Sequence, residues 1–351
     1  MAALTTSGNG DDAGEVVFSN GTFTVTGAVG SSTNALSGIG LADNASVTIG
    51  SDVYVGDDGL AIESGSTATV NGTVIQSEAD VDVDGTLSAA NAVLTTGATL
   101  DVDGGTVTVA SVAATDDVDL AAASTLTATG AVATENGDVK VAGGSTLTAG
   151  SITAGDELIV GTESTVTTHD VDVTGDLTVS GGSSLKITAS GDNAGDLTVD
   201  GNTLIGSETA DDDSAVEVAN LFTNSENGYI QVLHSSLSTK YLDLNGGTLF
   251  LDPAYFYANK LVEDGTVDDE TSTLNGDVVV GSGSGFFLGD DFSSESAFES
   301  YAKSLIGSTV ADETITAVAY LDDTLNVTSG SNFIVDGAVT SDNCYETTKV
   351  K

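Results

Sequence analysis

The side chains of this chain that could do chemistry are almost all carboxylates. Aspartate and glutamate number 53, against 7 lysines, no arginine and 2 histidines, for a formal net charge of −46. A carboxylate pair can cleave a glycoside, but so many acids single out no pair. The densest cluster, Asp211-Asp212-Asp213, is the candidate Ca2+ site, because hard cations take several oxygen ligands. Its spacing fits neither an EF-hand loop nor the Gly-Gly-x-Gly-x-Asp repeat, so a solvated acidic loop competes with the metal reading. His169 and His234 are too few for a three-histidine zinc site, and no Gly-x-Ser-x-Gly elbow is present. Cys344 is alone, so no internal disulfide forms. The glycine-rich run 281–285 has no lysine after it to cradle phosphate.

The second candidate is aromatic. Tyr255-Phe256-Tyr257 follow Pro253, the one proline. Three adjacent aromatics cannot all point inward. One left outside would suit glycan stacking or self-assembly. The alternative is packing against a helix predicted over 293–306, where Ala297, Phe298, Tyr301, Ala302 and Leu305 share a face. Ser296 and Glu299 fit a capping box there, and Gly307 fits the stop.

The elements that must position these residues are short strands on a beat of 19 to 21 residues. One row runs through Val118, Val139, Leu158 and Leu177. A second runs through Val107, Leu126, Leu147, Val166 and Leu185. A third runs through Val112, Val132, Ile152 and Val171. A repeat this short cannot bury its apolar face alone and must stack. The expected fold is all-β: a parallel β-helix with three strands per rung and one short helix near 293–306. Residues 1–45 read as an irregular N-terminal cap, with a hairpin at Asn20-Gly21. Residues 46–206 read as the regular stack. Residues 207–340 read as a wider stack, because all but three of the 18 aromatics lie from Phe222 onward. Residues 341–351 read as a frayed tail.

Charge bounds the partners. Nucleic-acid affinity comes from basic groups, which are scarce here, so nucleic acid is excluded. No apolar run is long enough for a transmembrane helix, so membrane insertion is not expected. The start lacks the basic and apolar segments of a signal peptide.

Asn245-Gly246-Gly247-Thr248-Leu249-Phe250-Leu251-Asp252-Pro253 resembles the GGTL-x-L-D-P rung of bacterial autotransporter passenger domains. Gly144 to Thr148, and the return Ala317 to Leu321 through Leu325 to Val327, are similar to other rungs of that family. The resemblance implies a right-handed β-helix on the outer surface of a Gram-negative cell, or released from it. It implies an adhesin or fibre. The missing arginine, the two isolated histidines and the aromatic-free stack predict a protein without catalysis, and no resident cofactor is expected. Expected partners are further copies of the chain, stacked end to end, or glycans of a host or neighbouring cell. A carbohydrate-active enzyme, lyase or hydrolase, is the alternative. Against it stand the missing arginine and the absence of aromatics between Tyr54 and Phe222.

Overall fold

The computed structural model describes residues 14–191, 193–209, 212–226, 228–267, 271–290, 295–310, 313–322, 324–341 and 344–346. It is an all-β parallel β-solenoid, about 12 turns in all, with one short helix. The chain divides into two compact units, Met1–Thr168 and His169–Lys351.

In the first unit the three rows become three faces. On the first face Leu100, Val118, Val139 and Leu158 stand in one column, joined by parallel in-register pairing. On the third face Val74, Val93, Val112, Val132 and Ile152 do the same. Between them the second face stacks strands such as Thr106–Val109, Thr125–Ala128 and Thr146–Thr148. Successive strand residues point to opposite sides. Val107, Leu126, Leu147 and Val166 therefore turn inward and are fully buried. Each such burial stabilises by about 1.5–3 kcal/mol.

The corners carry the hydrogen bonds that strands cannot make. Between the first and second faces the chain turns through two residues of left-handed backbone, Gly143-Gly144 in one rung and Thr162-Glu163 in the next. A buried serine follows each turn. The Ser124 hydroxyl accepts the Gly104 N–H at 2.8 Å, Ser145 that of Ser124 at 3.1 Å, and Ser164 that of Ser145 at 3.2 Å. Between the third and first faces, aspartates do the same job. Asp80, Asp117 and Asp138 accept the backbone N–H groups of Thr99, Asp138 and Glu157 at 2.8–3.0 Å, and Asp52, at the corner between the second and third faces, accepts that of Thr73 at 2.8 Å. Part of the acidity is thus structural, because an unpaired buried N–H is costly.

The start differs from the expected cap. Glu15–Ser19 pairs in parallel with Leu36–Ala42, and Thr22–Val25 with Ser46–Ile49. Asn20-Gly21 is consequently a corner between two faces, and not a hairpin. Its left-handed Asn20 suits either geometry, and rung pairing decides. Solenoid pairing begins at Glu15, well inside 1–45. In the expected tail, Cys344–Glu346 pairs antiparallel with Ala338–Ser341.

The second unit keeps the same three-face plan. Three long strands, Ala215–Asn224, Ser236–Asp243 and Tyr255–Val262, run through a corner onto the next face. Its core admits aromatics: Phe222, Phe256 and Phe286 are fully buried, and Phe256 stacks on Phe286 at 5.0 Å. Among the described residues no helix is long and apolar enough to cross a membrane.

Candidate functional site

Pro253 leads straight into a strand. Tyr255–Val262 is an ordinary rung strand, pairing with Ser236–Asp243 on one side and Gly285–Leu288 on the other. Alternation then sorts the three aromatics. Phe256 points inward and is fully buried, while Tyr255 and Tyr257 face out and are half-buried. Tyr257 starts an outward ladder. It stacks on Phe287 at 4.8 Å, and Phe287 stacks on Tyr320 at 5.6 Å.

The helix Glu295–Leu305 covers this ladder. Phe298 and Ala302 are fully buried against Phe287, Val318 and Tyr320, with Tyr301 and Leu305 at the margin. The expected face is thus the one that packs. The capping box does not form: Ser296 lies inside the helix, and Glu299 pairs with Lys303. Gly307 ends the helix in left-handed backbone. Gly285 makes room beneath, since a Cβ there would meet Tyr255 at 2.9 Å, with Phe298 and Ala302 each at 3.1 Å.

Grooves flank the helix. One of 610 Å3 is lined by Glu217, Ser238, Lys240, Tyr257, Asn259 and Ser296, among others. The other, of 570 Å3, is lined by Asp213, His234, Tyr255, Glu299, Lys303 and small polar residues. Lys303 Nζ lies 5.2 Å from the Tyr255 ring centre, so one ring face is already taken.

The acidic cluster separates. Asp211 lies outside the described residues. Asp213 is exposed. Asp212 is buried, accepting the N–H groups of Gly181 and Gly182 at 3.0 Å each and the Ser214 hydroxyl at 2.5 Å. Burial alone would raise its pKa. The bonds from Ser214, Gly181, Gly182 and Ser207 outweigh burial and hold it at about 2. The oxygens of Asp212 are thus committed to the chain's own donors. Among the described residues no three or more His, Cys, Asp or Glu side chains converge where a metal ion could be held. His169 Nδ1 lies 2.9 Å from the Thr188 carbonyl, in another rung.

Sequence reading missed two features. On the first face of unit one, Asp82, Asp101, Asp119 and Lys140 stack in one outward column. Burial, then the neighbouring aspartates, raises the pKa of Asp82 and Asp101. Burial raises Asp119 as well, with Lys140 opposing. On the second face of the same unit, every outward pair of strand positions is made of hydroxyl residues. The signal, Thr or Ser at alternate positions of each second-face strand, was present in the sequence. Comparison with family models, with curated proteins and with solved structures finds no match.

Proposed function

We propose that this chain is a non-catalytic structural and adhesive protein of an outer bacterial surface, a stalk or fibre segment of the autotransporter-passenger kind. The observation that carries this reading is the use of its acids. Asp52, Asp80, Asp117, Asp138 and Asp212 spend carboxylate oxygens on backbone N–H groups of other rungs. Such side chains build a stack and have little left for a substrate. The half-buried tyrosines beside the helix supply the adhesive element, with surface glycans as the partner class, and end-to-end self-association through backbone pairing is the second mode of assembly.

The test uses the purified chain on a glycan array, on a polysaccharide turnover panel, and in electron microscopy at low and high Ca2+. Glycan retention or rods that lengthen, without turnover, is the expected result. Robust turnover lost on replacing one carboxylate would instead establish the carbohydrate-active enzyme.

A further inference from the structure

The second face of the first unit is a two-dimensional lattice of hydroxyl side chains. Its outward pairs are Thr22/Thr24, Ser46/Thr48, Thr67/Thr69, Thr86/Ser88, Thr106/Thr108, Thr125/Thr127, Thr146/Thr148 and Thr165/Thr167. Seven consecutive parallel pairings join these strands, each Thr or Ser facing its counterpart, and none carries a register shift. All sixteen side chains are exposed or half-buried. Beneath them Val47, Ala68, Leu87, Val107, Leu126, Leu147 and Val166 are buried, giving the lattice a packed floor.

The dimensions follow from the β-structure. Rungs repeat at about 4.8 Å along each column, the two columns stand about 6.8 Å apart, and seven steps span about 34 Å. Threonine is β-branched and stiff at χ1, so methyl and hydroxyl are held in place. Charge supplies an independent observation. In a chain of net charge −46 no position of this lattice is charged, whereas the neighbouring first face carries Asp82, Asp101, Asp119 and Lys140 outward. In unit two the pattern is gone: Ser184–Ile187 presents Lys186 and Ala215–Asn224 presents Glu217.

The surface therefore fits a ligand that is neutral, flat and periodic at those two spacings. It lacks the aromatic, Met and Arg anchors of protein interfaces and the aromatic platforms that stack sugars. The oxygen lattice on the prism faces of ordinary ice repeats at closely similar distances along two perpendicular axes. We propose that this face binds ice: the hydroxyls occupy lattice positions of water oxygen, and the methyls order the water between them. This proposal does not depend on where the chain is displayed, and so stands apart from the reading above.

The experiment is partition of the purified full chain into slowly growing polycrystalline ice, with thermal hysteresis read in parallel. Variants T108Y and T148Y obstruct the lattice from exposed positions. T153Y, exposed on the third face, is the control. Circular dichroism and melting verify that each is folded. The expected result is that wild type and T153Y enter the ice, while T108Y/T148Y is excluded and loses its hysteresis. Exclusion of the wild-type chain overturns the proposal, as does equal partition of all three. Retention on microcrystalline cellulose or chitin without entry into ice also overturns it, and reassigns the lattice to a crystalline polysaccharide.

Discussion

The hydroxyl of Ser145 accepts the backbone N–H of Ser124 at 3.1 Å and donates to the carbonyl of Ala142 at 2.6 Å. One buried side chain thus satisfies one group of its own rung and one of its neighbour. Ser145→Ala leaves both without that partner. The expected loss is about 1–3 kcal/mol, read as a lower denaturant midpoint with unchanged slope. An unchanged midpoint would remove the serine ladder as a stabilising device.

Asp212 does the same for two N–H groups at once, and its depressed pKa makes the effect depend on pH. The unfolded carboxyl titrates near 3.9 and the folded one at about 2. Its contribution, about 2 kcal/mol, is present above pH 4 and is lost as pH falls through 2. Asp212→Asn should destabilise at pH 7 by about that amount and narrow its deficit below pH 3. A deficit independent of pH would show that the charge is immaterial.

The stacked column Asp82, Asp101, Asp119 acts with the opposite sign. Burial and like-charge neighbours raise these pKa values in the folded state. Folding is therefore penalised at neutral pH, and the penalty fades as pH falls through the raised values. D82N/D101N should melt higher than wild type at pH 7, with the difference vanishing in mild acid. Equal melting temperatures at pH 7 would refute the repulsion.

Gly285 is the seat of the helix, so Gly285→Val should lift Phe298 and Ala302 off the aromatic ladder. Hydrogen exchange across Glu295–Leu305 is the readout. Exchange should speed up there while Thr106–Val109 and its neighbours stay protected. Unchanged protection in the helix would mean that Tyr255 and Phe298 simply step aside.

Asn224 is buried, and among the described residues neither its Oδ1 nor its Nδ2 has a hydrogen-bond partner. Burying such a group costs about 1–3 kcal/mol. Asn224→Leu, which keeps the same branched heavy-atom frame without the polar atoms, should raise the melting temperature. A fall would show that the amide is engaged after all.

Much of the fold was legible because inward columns obey one rule. Val107, Leu126, Leu147 and Val166 must all be apolar, and a beat of 19 to 21 residues suggests that they form one row. Corners were less legible, since Asn20-Gly21 suits a hairpin as well as a rung corner, and only the partner strand Ser46–Ile49 decides. The fate of Tyr255, Phe256 and Tyr257 needed strand alternation to sort them. Asp212 reads as a surface acid, because the N–H groups that capture it lie 30 residues earlier, at Gly181 and Gly182. The hydroxyl lattice was visible as single strands of alternating Thr or Ser, yet successive lattice strands start 19 to 24 residues apart. No fixed period lines those strands up, and register must do it.

Each rung of the first unit is tied to its neighbours by backbone bonds that run along the stack, and at several corners by a serine or aspartate side chain. Tension applied along that direction loads the bonds of one rung together, and those of successive rungs in series. The outermost rung fails first, releasing some 20 residues, about 70 Å of contour, before the next is strained. Such a stack is expected to pay out length in repeated steps at nearly constant force, which single-molecule pulling on the purified chain would read.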